Sequence, residues 1–395
     1  MTEAATPTND HSDPEITESS EDWTIRHARE WSDLIASVKD AAWFSPLDWP
    51  RSIFGDVSSM RSAPYSEYDL LWSGNIPRLT RYLADILIPS VPGRAPRWLR
   101  PPLSSLLFHR SHEIEDAGRA PEQPFGGEQW FFINGILTNE DVARMNASYL
   151  VDLFHRPVTV LWNSTDGLGV DLLECTTEKL GATGEDVDSA FHPLLDAITS
   201  TLNRRVVLVS HSQGTIITAV LLRLMRGVYE HTMSGRRRDL TKSDREAIRR
   251  QAAEEGLTVD PRRLKPVTPA EIAKLEVYCF ANCASEMSYV DTALEHPRIE
   301  SYGNEHDLVA RLGMLAPDPA ECDIQIAGPR FIHKGAWGHL LNAHYLIDID
   351  KAQRRRKSRG SVPAGAAPYV LIEGTAPAGA VPHLFRYLNG GEAIG

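Results

Sequence analysis

Ser212 stands in the stretch VVLVSHSQGTIITAV, where a short apolar run precedes it and a second apolar run follows. A serine hydroxyl is a weak nucleophile, so it needs an adjacent base, access to substrate and donors for the developing oxyanion. A sharp turn from strand to helix would lift this side chain above the carboxyl end of a sheet and aim the next backbone N–H at a reacting carbonyl. Such a turn leaves room only for small residues two positions away on each side, where Ser210 and Gly214 stand. The stretch therefore predicts a nucleophilic serine on a tight turn.

Strand and helix patterns alternate on both sides of this turn. Apolar strand patterns occur in QWFFINGIL, RPVTVLWNS, RVVLVSHS and KLEVYCFAN, and amphipathic helical stretches such as DVARMNASYLVDLFH lie between the first three. Near-continuous apolar strands that alternate with helices are typical of parallel sheets buried on both faces. The sequence therefore predicts an α/β fold, a mostly parallel sheet with helices on both faces.

In this context SHSQG resembles the nucleophile elbow of the α/β-hydrolase superfamily, in its serine lipase and esterase branch. The family's usual pattern has glycine where this chain has Ser210. The resemblance spans roughly residues 128–350 and implies an α/β-hydrolase fold that cleaves carboxylic esters through an acyl-enzyme on Ser212, with no metal and no organic cofactor. Three alternatives stay open: an acyltransferase or a thioesterase with the same triad, and a non-catalytic binding protein that keeps the fold.

The resemblance also implies a chain order of serine, acid and histidine. Asp307, in IESYGNEHDLVARLG, follows a strand pattern and precedes an apolar helix start, which matches the position of the family's acid. An aspartate at this position would equally serve as the N-cap of that helix. Asp318, in a proline-containing loop, and Asp323, beside a strand pattern, are weaker rivals.

The base has three candidates in HKGAWGHLLNAHYL: His333, His339 and His344. His339 follows Gly338 at the start of the last helical pattern, where similar hydrolases place their base, and His344 is the alternative base. The five-residue spacing of His339 and His344 does not put both on one helical face, which disfavours a metal cluster.

Gln213 and Ile136 are implied by the resemblance as the oxyanion hole, each through its backbone N–H. Ile136 lies in FFINGIL, where Asn134 replaces the family's histidine and Gly135 lets the backbone approach closely. Asn163 and Asp166, in LWNSTDGLG after the next strand pattern, lie at the same predicted sheet edge. Together with Asn134 they are candidates for the substrate pocket, although a turn stabilised by Asx bonds explains the LWNSTDGLG loop equally well.

The remaining segments suggest appendages to the hydrolase domain of residues 128–350. Residues 1–22 are polar and acidic, which predicts a disordered leader, and residues 23–127 are rich in tryptophan and proline, which predicts a helical or irregular cover. A substrate lid or a lipid-facing patch is the alternative for that cover. Residues 229–275 read as a charged, helical insertion at the surface, and residues 351–395 as a tail that is first basic and then rich in proline, alanine and glycine.

The composition limits which binding partners and which cellular compartment are expected for this protein. The net charge of −12 disfavours binding to nucleic acid, and the four cysteines include no C-x-x-C pair, which disfavours a structural zinc site. So few cysteines in 395 residues indicate thiols in a reducing compartment. With neither a signal-peptide pattern nor a membrane-spanning apolar run, the chain is expected to be cytoplasmic. The expected ligand is a small-molecule or lipid-like acyl ester; a peripheral membrane contact stays open, and the oligomeric state is undetermined.

Overall fold

An eight-stranded sheet organises the protein, with the strand order β1-β3-β2-β4-β5-β7-β9-β10. The six central strands, β3 to β9 in that order, pair in parallel, whereas β1 and β10 pair antiparallel at the two edges. A separate parallel pair is formed by β6 and β8. The strands are β1 (His112–Ile114), β2 (Glu128–Ile133), β3 (Val158–Trp162), β4 (Arg205–His211), β5 (Leu275–Phe280), β6 (Glu286–Met287), β7 (Arg298–His306), β8 (Gln325–Ile326), β9 (Arg330–Trp337) and β10 (Val370–Leu371).

This computed structural model describes residues 48–56, 65–69, 112–114, 126–135, 138, 140–162, 184–234, 239–254, 259–289, 297–316, 324–359 and 368–392. All of them belong to one unit, Trp43–Gly395. The predicted leader, residues 1–22, lies outside the described residues.

All of the described α-helices except the first lie between strands in the order of the chain. The α-helices are α1 (Trp49–Phe54), α2 (Glu140–Phe154), α3 (Gly184–Thr199), α4 (Gly214–Ser234), α5 (Lys242–Glu254), α6 (Pro269–Ile272), α7 (Leu308–Leu312) and α8 (Ile347–Arg359). A π-helical turn, Leu341–Leu346, leads directly into α8, and a 3-10 segment spans Leu384–Gly390. No helix in the described part of the chain combines the length and the apolar character that crossing a lipid bilayer requires.

Both faces of the sheet are buried, as β2 illustrates. Phe131 and Ile133 pack on one side with residues of α3 and α4, and Trp130 and Phe132 pack on the other side with residues of α2. Each large apolar side chain buried in this way stabilises the fold by about 1.5–3 kcal/mol. Burial on both faces explains why the strands read as continuous apolar runs. The predicted mostly parallel α/β sheet is confirmed.

The charged insertion contains α5, which packs one face on the core. Ile248 and Ala252 of α5, followed by Leu264 and Val267, are buried in the same core cluster as α4. These four apolar residues are spread thinly through a highly charged stretch, so the sequence alone does not mark them as part of the core.

Three segments outside residues 128–350 complete the sheet and its core. β1, within the predicted cover, pairs with β3, and β10 pairs with β9. Further along the C-terminal segment, the buried Tyr387 hydroxyl donates to Glu276 Oε2 at 2.7 Å. The fold therefore extends past residue 350, because residues 368–392 supply an edge strand and part of the core.

Candidate active site

Ser212 occupies the turn between β4 and α4 with a φ of +56°. A non-glycine residue in this region costs of order 1–3 kcal/mol, so its surroundings must hold it there. Its N–H donates to Phe280 O at 2.9 Å. At Gly214 an added Cβ would lie 2.6 Å from Ile133 O, and at Gly135 it would lie 2.6 Å from His211 O and collide with Ser212 itself. The tight turn thus requires glycine at both Gly135 and Gly214, the two positions where the backbone packs closest around Ser212.

Ser212, His339 and Asp307 form one chain of hydrogen bonds. His339 Nε2 lies 2.9 Å from Ser212 Oγ, and His339 Nδ1 lies 2.9 Å from Asp307 Oδ2. A carboxylate only accepts hydrogen bonds, so His339 Nδ1 carries the proton. The lone pair on His339 Nε2 then accepts the hydrogen bond from the Ser212 hydroxyl. The three side chains are at most 1% exposed. The structure therefore brings together three predicted residues that come from the ends of β4, β7 and β9.

Asp307 is both the carboxylate of this hydrogen-bond chain and the N-cap of α7. Its Oδ1 accepts from Val309 N at 2.8 Å and from Ala310 N at 3.4 Å. Its Oδ2 accepts from the Tyr345 hydroxyl at 2.5 Å, besides accepting from His339. The two roles proposed for Asp307 from the sequence are therefore compatible, since the capping bonds hold the carboxylate while it faces the imidazole.

The loop that carries His339 is held through its backbone. Gly338 has a φ of +97°, and its carbonyl accepts from Asn304 Nδ2 at 2.9 Å. The N–H of His339 donates to Ile53 O at 2.9 Å, which links the loop to α1. A side chain at Gly338 would overlap the His344 ring, so the turn needs glycine for space as well as for its dihedral angle.

His344, the alternative base, is engaged elsewhere. Its Nδ1 accepts from Leu340 N at 2.9 Å, and its Nε2 lies 3.3 Å from the Tyr68 hydroxyl, which itself donates to Phe54 O. Burial lowers the pKa of His344 to about 4, so it is a neutral structural ring. His333 lies on β9 beside Asp348, with 3.6 Å between its Nδ1 and the carboxylate.

The predicted oxyanion hole is only partly within the described residues. Gln213 follows Ser212 in the turn, and Asn134 is buried with its Nδ2 3.3 Å from Gly135 O. The turn after β2 packs directly against Ser212, as the crowding at Gly135 shows. This is the side of the serine on which the second donor is expected. Ile136, Asn163 and Asp166 lie outside the described residues, as do the rival acids Asp318 and Asp323.

Two residues that sequence reasoning missed support the site. Tyr345, on the π-helical turn, orients Asp307 as described above. Glu67, from the N-terminal cover, is buried and accepts from Asn342 N at 2.8 Å and from Ala343 N at 2.9 Å. Burial raises the pKa of Glu67 to about 7, against the lowering effect of these backbone donors. Nothing in the local pattern YSEYD distinguishes this glutamate from a solvated one.

Among the described residues, no three or more histidine, cysteine, aspartate or glutamate side chains are grouped to hold a metal ion. A cavity of about 270 Å³ is lined by residues that include Asp56, His333 and His344, but by none of the three hydrogen-bonded residues.

Comparison of the chain with protein-family models, with curated proteins and with solved structures found no match. The function of this site is therefore inferred from its geometry.

Proposed function

We propose that this protein is a serine hydrolase of the α/β-hydrolase class that cleaves carboxylic esters through an acyl-enzyme on Ser212. The observation that carries the proposal is the continuous hydrogen-bond chain from Ser212 through His339 to Asp307. Its members lie up to 127 positions apart in the sequence. They meet where the parallel strands end, which is where open α/β sheets bind their ligands.

Each member has one chemical task. Ser212 Oγ attacks the acyl carbon while His339 Nε2 takes its proton, and His339 then delivers that proton to the leaving alcohol. Asp307 keeps the proton on Nδ1 and stabilises the imidazolium that forms. Water, activated by the same imidazole, releases the acid and restores the serine.

The φ of Ser212 supports this assignment. Ser212 has a left-handed φ between a strand and a helix, and backbone strain of this kind is concentrated at functional sites. The neighbouring turn at Gly135 approaches the serine closely enough for backbone donors to reach a developing oxyanion.

The burial of Ser212 favours a second candidate, a binding protein that keeps the fold without turning over substrate. The serine, the histidine and the aspartate are closed to solvent. For catalysis, an ester must therefore displace part of what covers them. An experiment on the proposed function has to separate a covered enzyme from an inert protein.

A fluorophosphonate probe tests the proposal, because it reacts covalently only with an activated serine. We expect it to label the wild-type protein and not Ser212→Ala. Ser210→Ala, a change of the same type two residues earlier, is the matched control and should still be labelled. The reaction is run with and without detergent micelles, which can open a covered apolar site.

Equal labelling of wild type and Ser212→Ala would exclude Ser212 as the nucleophile. No labelling of the wild type under either condition, together with no turnover of p-nitrophenyl esters, would favour the binding protein. Product analysis with an added alcohol, amine or thiol then separates hydrolysis from acyl transfer, and acyl thioesters test for thioesterase activity.

A further inference from the structure

His211, the last residue of β4, contacts the proposed base through both its ring and a hydrogen bond. Its Nε2 lies 2.8 Å from the carbonyl oxygen of His339. The two imidazole rings pack with centroids 4.7 Å apart and an interplanar angle of 31°. His211 is 3% exposed, so both contacts are shielded from water. Because a carbonyl oxygen only accepts, Nε2 of His211 carries the proton.

Three hydrogen bonds fix the backbone around His339. Ile53 O accepts from the N–H of His339, Asn304 Nδ2 donates to the preceding carbonyl, and His211 Nε2 donates to the carbonyl of His339 itself. Of these three partners, His211 also packs its ring against the imidazole. A change at His211 therefore acts on both the position and the tilt of the ring that faces Ser212.

His211 is neutral beside the imidazole of His339. Burial lowers the pKa of His211 well below its ordinary value, and the neighbouring His339 and His344 act in the same direction. Tyr345 completes the contacts with its ring centroid 6.0 Å away. A neutral ring does not repel the positive charge that His339 acquires during acyl transfer, whereas a protonated one would.

We propose that His211 is a positioning residue that holds the imidazole of His339 in line with Ser212 by a hydrogen bond to the His339 carbonyl. This inference rests on the proposed function. It assigns a task to the residue directly before the nucleophile that does not involve contact with substrate.

The test compares two amides at the same position. In His211→Gln the amide nitrogen replaces Nε2 and keeps a donor within reach of the His339 carbonyl, whereas in His211→Asn the nitrogen replaces Nδ1 and does not. We expect His211→Gln to keep kcat for p-nitrophenyl esters within about tenfold of wild type, as for the loss of one ordinary contact. His211→Asn should lower kcat by about 100-fold with KM nearly unchanged, the effect of misplacing a catalytic group by about 1 Å.

His211→Phe, which keeps a ring without a donor, should follow His211→Asn. Circular dichroism establishes that each variant folds, and the amide pair decides the outcome even if the phenylalanine variant does not fold. Equal loss in the Gln and Asn variants, or wild-type kcat in both, would overturn the positioning role. Failure of the proposed function is seen separately, as a wild-type protein that the fluorophosphonate does not label at Ser212.

Discussion

Glu67 offers a prediction whose size follows from the structure. Its carboxylate is fully buried against the first turn of the π-helical segment that follows His339, and burial raises its pKa from 4.5 to about 7. Between these two values the folded protein holds a proton that the unfolded chain has lost. The free energy of unfolding therefore falls as the pH rises through this window.

The expected size is about 3 kcal/mol in total, since each unit of pKa difference corresponds to about 1.4 kcal/mol. About 2.5 kcal/mol of this change falls between pH 5 and pH 8. The contribution is fully present below the unfolded pKa and is lost as the pH rises through the folded pKa. Glu67→Gln removes the titrating group. Its amide oxygen can accept from one of the two backbone N–H groups, but its NH₂ group then faces the other N–H, which is also a donor. That mismatch costs about 1–3 kcal/mol and does not vary with pH.

In the wild-type protein, His344 partly offsets this pH dependence of the unfolding free energy. Its pKa is lowered from 6.5 to about 4 by burial, so its contribution is present above pH 6.5 and is lost as the pH falls toward 4. The two contributions have opposite signs over overlapping windows. For this reason the informative quantity is the difference in unfolding free energy between wild type and Glu67→Gln at each pH.

Urea denaturation followed by circular dichroism at pH 5, 6, 7 and 8 measures that difference. We expect wild type to lose about 2.5 kcal/mol relative to Glu67→Gln from pH 5 to pH 8. Glu230→Gln, at an exposed position on α4, is the matched control and should give a constant difference. A constant difference for Glu67→Gln as well would mean that the carboxylate stays ionised in the folded state and that its two backbone donors outweigh burial.

Two further predictions concern the base loop and the acid. Gly338→Ala and Gly374→Ala both place a side chain at positive φ, at +97° and +80°, but only the first would meet the His344 ring, whereas nothing lies within 4 Å of the second. Thermal unfolding should show a loss of about 1–3 kcal/mol for Gly374→Ala and a larger loss for Gly338→Ala, which should also abolish the proposed esterase activity. Equal losses would show that the ring contact is unimportant. Tyr345→Phe removes the donor to Asp307 and the acceptor for Asn304 N, which lies 3.2 Å from the hydroxyl. It should lower kcat/KM roughly tenfold and stability by about 1–3 kcal/mol, and wild-type kcat/KM would refute its orienting role.

The parallel sheet and the turn at Ser212 could be predicted because both depend on neighbours in the chain. Continuous apolar runs report burial on two faces, and the demand for small residues around a sharp turn is a matter of local sterics. The register that sets Ser210 of β4 opposite Ile133 and Cys279 comes from the structure. Exposure of Ser212 was the expectation that the structure does not meet, since a turn's own sequence says nothing about which distant segments cover it.

Local sequence patterns did not determine which histidine and which aspartate form the hydrogen-bond chain with Ser212. Asp307 and His339 could be proposed only from a resemblance to a known family, and His344 stayed open as the alternative base. Glu67, Tyr345 and the core residues of the C-terminal segment gave no signal at all.

The sequence by itself determined that a serine would stand on a tight turn at the end of a buried parallel strand. Tertiary structure alone decided which imidazole reaches that serine and which carboxylate reaches the imidazole, and that a glutamate from the N-terminal cover supports the turn after His339. The physical reason is that side-chain periodicity records which face of an element is buried, whereas the distance between two residues more than a hundred positions apart depends on how whole strands and helices pack.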